Sequence, residues 1–243
     1  MTGTDPAIEI DQTMRESFER LEKARRYRRW ILEQVEPWLG SRVLEVGCGF
    51  GNFTAELLRN HEVVAVDVEQ PYIDVLEQRL SGRPGLTTEV GALGDSELVN
   101  RLEGRALDSA VLLNVLEHID DDVRALRDLT SILEPASTVV IQVPAHSWLY
   151  GEADRALGHV RRYDRRQLEG VIERSGMHIE RSWQFNTLGV LGWFVSGRVR
   201  RQTMFSNRRL WLYEALVPIQ RALEPARGVP LGLSLMAVAS TPR

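Results

Sequence analysis

The chain has one cysteine, Cys48, and one lysine, Lys23. A single thiol excludes an internal disulfide and a cysteine-built metal cage, and it fits a reducing, cytoplasmic setting. No uninterrupted apolar run reaches the ~20 residues that a bilayer span requires. The first dozen residues are polar and acidic and do not read as a secretory signal. Neither charge sign dominates. The 30 Lys and Arg against 34 Asp and Glu leave a net charge of −4, which gives no overall attraction for nucleic acid. Internal repeats and low-complexity linkers are also missing, so one domain with a cap is expected.

What is present is enough to build that domain. The 243 residues suffice for one well-buried core with an appendage. After a loose tail, an amphipathic helix is expected over Thr13–Leu39. In it Phe18, Leu21, Tyr27, Trp30, Ile31, Val35 and Trp38 recur at helical spacing. The arginines between them, Arg25, Arg26, Arg28 and Arg29, suit either a solvated lid face or an anionic substrate group. Short apolar runs then alternate with helical patterns, the rhythm of a doubly wound α/β sheet. Strands are expected at 43–46, 63–67, 86–90, 109–113 and 138–143, and helices near 52–59, 71–80, 96–102 and 121–133. Residues 144–160 read as a loop. Arg165–Ser175 reads as a helix capped by Asp164 and closed by Gly176. His178–Phe185 reads as a strand, 187–231 as one or two cap helices, and Leu233–Ala239 as the last strand. The expected parts are a tail and lid helix (1–40), a cofactor core (41–143), a substrate loop, helix, strand and cap (144–231), and the final strand (232–243).

The organising stretch is Val43-Leu-Glu-Val-Gly-Cys-Gly-Phe-Gly-Asn-Phe-Thr54. A buried strand turns through Gly47, Gly49 and Gly51 into a helix, where the missing Cβ atoms let backbone approach a ligand. Asp67 ends the next strand, placed to take both hydroxyls of a ribose. A dinucleotide site wants G-x-G-x-x-G, whereas here Asn52 falls at the third glycine position. Glu45 also precedes the turn. It would repel a pyrophosphate and suits an ammonium or sulfonium ligand.

This combination resembles the class I S-adenosylmethionine methyltransferases, whose first motif is an acidic residue followed by G-x-G-x-G. The segment Leu107–Asp122, leaving its strand at Asn114 and running into Leu116-Glu-His118, looks like the fourth-strand region of the small-molecule branch. Leu133-Glu-Pro135 resembles the family's L-x-P-G-G turn, with Ala136 and Ser137 in place of the glycines as surface variation. Gly158-His-Val-Arg-Arg-Tyr163 and Pro230-Leu-Gly-Leu-Ser-Leu235 resemble a bacterial subgroup with an H-x-R-R-Y segment. The resemblance covers about residues 25–240. It implies a seven-stranded, mostly parallel Rossmann-like sheet, and S-adenosylmethionine contacts from Glu45, Gly47, Cys48, Gly49, Gly51, Asp67, Val68, Leu93 and Asn114. Ala92 stands where many members carry an acidic adenine contact, so Asp95 or backbone N–H near Leu93 would supply it.

Methyl transfer to a hydroxyl needs alignment and a base, for which histidine is suited. Of the five histidines, His118 and His159 are the acid–base candidates, joined by Tyr163. His146, Tyr150, Arg162 and Trp193 are the substrate-binding candidates, the arginine by its fork geometry. Arg161 and Arg162 equally suit pinning the loop to carboxylates. Cys48 reads as packing near the cofactor. No metal is expected. The reaction expected is methylation, O-methylation foremost, of a small-molecule or lipid-like metabolite. The alternatives are a S-adenosylmethionine-binding regulatory protein and a NAD-dependent oxidoreductase. Without an (N/D)-P-P-aromatic segment, a nucleic-acid base is not the expected substrate. The apolar-then-basic run Gly189–Arg201 suits a packed cap helix or contact with a membrane surface.

Overall fold

The computed structural model describes residues 12–194, 207–225 and 227–243. Seven apolar runs form one sheet: β1 (Arg42–Val46), β2 (Glu62–Asp67), β3 (Leu86–Val90), β4 (Leu107–Leu113), β5 (Leu133–Pro144), β6 (His178–Phe185) and β7 (Ser234–Ser240). The order is β3-β2-β1-β4-β5-β7-β6. The pairs β1–β2, β1–β4, β2–β3 and β4–β5 are parallel, and β7 runs antiparallel between β5 and β6. The sheet is the seven-stranded, mostly parallel doubly wound one that the alternating pattern predicts. The order in which strands are added reverses between β1 and β4, and the crevice beyond their carboxyl ends is where such sheets bind ligands.

Among the described residues ten helices flank it: α1 (Gln12–Lys23), α2 (Arg25–Val35), α3 (Thr54–Leu57), α4 (Gln70–Arg79), α5 (Ser96–Leu102), α6 (Asp122–Ile132), α7 (Glu152–Ala156), α8 (Arg165–Arg174), α9 (Thr187–Phe194) and α10 (Asn207–Leu223). The central strands bury both faces, which explains their continuous apolar runs. Leu44, Leu112, Val139 and Ile141 face one core cluster with Leu126, Leu129, Leu168 and Ile172 of α6 and α8. Their neighbours Val43, Val111 and Val140 face the other, with Ile31 of α2, Leu57 of α3 and Ile73 and Leu76 of α4. The alternation is the period of two along a strand. No helix among the described residues is long and apolar enough to cross a membrane.

Three expectations need correction. The single helix over 13–39 breaks at buried Ala24 into α1 and α2. The break is stabilised from both sides. Arg28 Nη1 donates to the Leu21 and Glu22 carbonyls at the end of α1. Glu214 of α10 accepts the Arg26 and Tyr27 N–H groups that open α2, at 2.8 and 3.0 Å. That second cap lies 188 residues away in sequence, beyond the reach of periodicity. The helix expected at 52–59 shrinks to one turn, because Asn52 turns its side chain to the Phe18 carbonyl (3.0 Å). Ala136 is exposed as expected of surface variation, but Ser137 is not. Ala136 holds φ +60°, a backbone that favours glycine, and Ser137 is buried with its hydroxyl toward the Leu107 carbonyl (3.4 Å). The tail 1–11 and the 195–201 part of the apolar-then-basic run lie outside the described residues.

Asp164 caps α8 as expected. Its N–H donates to Gln167 Oε1 at 2.9 Å, and Gly176 follows the helix with φ +94°. The glycine of the closing motif also has a physical reason. A Cβ on Gly232 would sit 2.3 Å from the Phe185 carbonyl oxygen and 2.5 Å from its nitrogen. Backbone cannot yield there, so Gly232→Ala is expected to destabilise the protein by about 1–3 kcal/mol. Urea denaturation followed by circular dichroism measures this, and an unchanged midpoint would contradict the packing described.

Candidate active site

Two polar groups lie at the carboxyl end of the sheet. The first is the turn after β1. Gly47, Gly49 and Gly51 hold φ of +71°, +51° and +76°, which side chains other than glycine rarely tolerate. Gly47 and Cys48 N–H both donate to the Val66 carbonyl of β2 (2.8 and 3.0 Å). Asp67 at the end of β2 braces the turn: its Oδ2 accepts the Gly49 N–H at 2.8 Å and its Oδ1 the Glu69 N–H at 3.2 Å. Glu45 is buried with one hydrogen bond, from Thr54 Oγ1 at 2.5 Å. Burial, with Asp67 nearby, pushes its carboxyl up to about 8. Among the described residues neither Glu45 nor Asp67 forms an ion pair. Two buried carboxylates without a cation suit a positively charged ligand. Phe18 of α1 closes over the turn, in ring contact with Phe50 and Tyr72.

The second group is built by the turn after β4 and the loop after β5. Asp154, fully buried on α7, is its hub. Its Oδ1 accepts from His159 Nδ1 (3.0 Å) and Arg162 Nε (2.7 Å), and its Oδ2 accepts the Gly151 N–H (2.9 Å). Arg162 also donates to the Ala145 carbonyl at 3.1 Å, and its guanidinium lies 4.5 Å from the ring centroid of Trp193 on α9. Tyr150 donates to the His159 carbonyl at 2.8 Å. The His118 ring meets the His159 ring edge-on, with centroids 4.8 Å apart. Although the residue keeps an exposed side, desolvation of its ring among its neighbours, helped by His159, lowers His118 to about 4, so it is neutral near pH 7. Glu117 is wholly buried between them, and burial pushes its carboxyl up to about 8.

The structure therefore brings His118, His159, Tyr150, Arg162 and Trp193 together, and it sets Tyr163 apart. Tyr163 is buried, with its hydroxyl donating to Asp122 Oδ2 at 2.8 Å, and burial raises it above the ordinary phenol range. It is a pin between α6 and the loop, not a proton relay. Arg161 joins the same pin through Asp122 at 2.7 Å. Both arginines are thus held by carboxylates. His146 is buried at φ +66°, its ring 5.8 Å from that of Trp148. On the glycine side, Cys48 is buried and its thiol pushed up by burial, which suits packing. Val68 is 59% exposed just beyond β2. Leu93 packs in the core, and Asp95 is engaged in capping α5 through the Glu97 N–H (2.9 Å). Asn114 leaves β4 at φ +58°, its Oδ1 3.4 Å from Gln142 Nε2.

Sequence reasoning missed Glu117 and Asp154, because an isolated carboxylate reads as surface until its burial is known. It also missed a polar set under the cap. Tyr27 hydroxyl meets Ser234 Oγ at 3.3 Å, and Gln142 Oε1, Tyr213 hydroxyl and Gln220 Oε1 are buried without a hydrogen-bond partner.

A parallel sheet of this order, with a glycine turn after its first strand and a carboxylate after its second, defines the class I methyltransferase architecture. A family model described as a methyltransferase domain matches residues 15–182, and the chain belongs to that family. The cation-free carboxylates of its glycine turn suit a positively charged ligand. A SAM-dependent methyltransferase from Archaeoglobus fulgidus superposes with a TM-score of 0.59 at 15% identity, covering 90% of this chain and 94% of that one. The [4+2]-cyclase SpnF gives 0.59 at 19%, over 89% and 81%. Among curated proteins, a ubiquinone biosynthesis O-methyltransferase from Xanthomonas axonopodis pv. citri is 26% identical over 113 residues, 46% of each chain. The corresponding enzyme of Bordetella bronchiseptica is 27% identical over 112 residues, 45% of each. An uncharacterised 37.1 kDa protein in transposon TN4556 of Streptomyces fradiae is 26% identical over 50% of this chain and 35% of its own length. The matches thus span less than half the length of these curated relatives.

The two raised glutamates set the pH dependence of stability. The native state holds their protons up to about pH 8, whereas an unfolded chain releases them near pH 4.5. Through that window the native state binds more protons, so stability falls as pH rises. The melting temperature of the ligand-free protein is expected to drop between pH 5.5 and 8, and Glu117→Gln to flatten the slope. A slope unchanged in the variant would remove Glu117 from this account.

Proposed function

We propose that the chain transfers a methyl group to an oxygen of a small, polar or lipid-like metabolite. The observation that carries this reading is the meeting of two halves at one end of the sheet, the glycine turn with its uncompensated carboxylates and the His118–His159 pair. The Xanthomonas and Bordetella relatives are O-methyltransferases, which supports oxygen as the acceptor atom. The polar groups of Gln142, Tyr213 and Gln220 under the cap suit an acceptor with hydrogen-bonding groups. A stripe of exposed apolar side chains on α10, Leu212, Leu216, Ile219 and Leu223, supports a lipid-like one. The H-x-R-R-Y and P-x-G-x-S-L segments support the bacterial small-molecule subgroup.

When bound, S-adenosylmethionine supplies a methyl group on a positively charged sulfur, open to in-line displacement. The chain's part is to hold, align and exclude water, and positioning of this kind contributes up to ~7–11 kcal/mol in well-oriented systems. Gly47, Gly49 and Gly51 bring backbone against the amino-acid part of the donor, and Glu45 faces its positive charge. Asp67 takes the ribose hydroxyls from a carboxylate already fixed by two backbone N–H groups. Backbone beside Val68 and Leu93, with Asn114, flanks the nucleoside. Phe18 covers the turn and keeps water out. On the acceptor side, His159, oriented by Asp154, and His118 stand at the acceptor oxygen. Arg162, Tyr150, His146 and Trp193 form the wall behind them.

Gly49→Val adds a side chain at φ +51° where even a Cβ would sit 2.5 Å from the Phe18 ring. It and Asp67→Ala are expected to lower S-adenosylmethionine affinity at least tenfold by calorimetry. Normal affinity in both variants would remove the donor from this turn. His159→Ala is expected to cut turnover 10²–10⁴-fold, the usual worth of acid–base groups, with donor affinity nearly unchanged. The assay is labelled-methyl transfer to fractionated extract, with mass spectrometry of the product. A methylated nitrogen or carbon would overturn the O-methylation reading.

A further inference from the structure

We propose that Glu117, His118 and His159 bind one divalent first-row transition-metal cation, such as zinc or manganese. Each offers one ligand atom, and the three atoms lie within 4.8 Å of one another. Two imidazoles and a carboxylate are a donor set that such ions favour.

Glu117 is the first observation. It lies in the 3-10 turn Leu116–His118 after β4, fully buried, and neither carboxylate oxygen has a hydrogen-bond partner. Buried carboxylates are normally paired, hydrogen-bonded or bound to a metal. A histidine pair serving only in proton transfer does not require such a third group facing it.

The imidazoles are the second. Asp154 holds His159 by Nδ1 at 3.0 Å, which turns Nε2 toward Glu117 Oε1 at 3.9 Å. A carboxylate on the far nitrogen is the usual support of a ligating histidine, fixing tautomer and ring angle. His118 packs against Gly158, its Nδ1 3.7 Å from where a Cβ on that glycine would stand. Ligands on a cation with bonds of about 2.0–2.1 Å stand roughly 3.3 Å apart in tetrahedral geometry. The 3.9 Å edge therefore needs to close by less than about an ångström. His118, the exposed member, gives the ion a path in from solvent.

Charge points the same way. The group holds two carboxylates, Glu117 and Asp154, against one buried guanidinium, Arg162. A divalent cation offsets that excess. Three protein ligands leave positions open. An acceptor hydroxyl bound there loses its proton to solvent more readily, and its oxygen is held for attack. That last role rests on the methyl-transfer reading, whereas the binding site itself does not.

The test uses the untagged full-length chain, stripped with chelator and titrated with Zn²⁺ by calorimetry and with Mn²⁺ by electron paramagnetic resonance. One equivalent of either ion is expected to bind. Glu117→Gln and His118→Ala should each weaken binding by at least tenfold, with circular dichroism and S-adenosylmethionine affinity unchanged. Asp154→Asn should weaken it less, since Asp154 positions His159 without touching the ion. Absence of one-to-one binding of both ions, or unaltered binding in both ligand variants, would overturn the proposal. Metal binding is read without any methyl transfer, so its failure leaves O-methylation standing, and failed turnover leaves the metal site standing.

Discussion

Buried carboxyl groups at one end of the sheet are the constraint on which the site depends. Glu45, Asp67, Glu117 and Asp154 are all buried, and Arg162 is the one buried guanidinium among the described residues. Charges removed from water must be neutralised by protons, hydrogen bonds or counter-ions. Asp154 is satisfied by Arg162, His159 and Gly151, and Asp67 by the backbone it braces. Glu45 and Glu117 are not, and both hold their protons to about pH 8. Each half of the site therefore keeps one carboxylate that a cation would relieve. On the glycine side the proposed methyl donor is such a cation. On the other side the geometry assigns it to a metal.

The fold gathers these groups because parallel strands deliver their following loops to the same end. The turns after β1, β2 and β4 and the loop after β5 meet there, beside the point where strand order reverses. The loop after β5 is stitched down rather than free. Ala145 pairs with Tyr163, Val160 N–H reaches the Glu117 carbonyl, and Arg161 and Tyr163 converge on Asp122. The cap completes the enclosure. Trp193 lies against Arg162, and Glu214 caps α2 above the polar set of Tyr27, Gln142 and Ser234.

The strands were legible because a strand buried on both faces must be largely apolar, and 43–46, 63–67 and 109–113 are, apart from Glu45, Asp67 and Ser109. The glycine turn was legible because left-handed backbone restricts residue type strongly. Helix extents were less so. Local periodicity carried 13–39 through Ala24, while the real break is held by Arg28 and by a glutamate from α10. Tyr163 looked like a proton relay from its neighbours in sequence, yet its hydroxyl is committed to Asp122 across the loop.

By itself the sequence determined the sheet, the glycine turn with Glu45 and Asp67, and the methyltransferase family. These are written in contiguous residues and in patterns that backbone geometry enforces. Only the tertiary structure decided which polar residues face one another. It joined His118 and His159 across 40 intervening positions of chain sequence, turned them toward Glu117, and hung His159 and Arg162 on Asp154. Burial and orientation are properties of the packed chain, and the chemistry of a carboxylate or an imidazole depends on both.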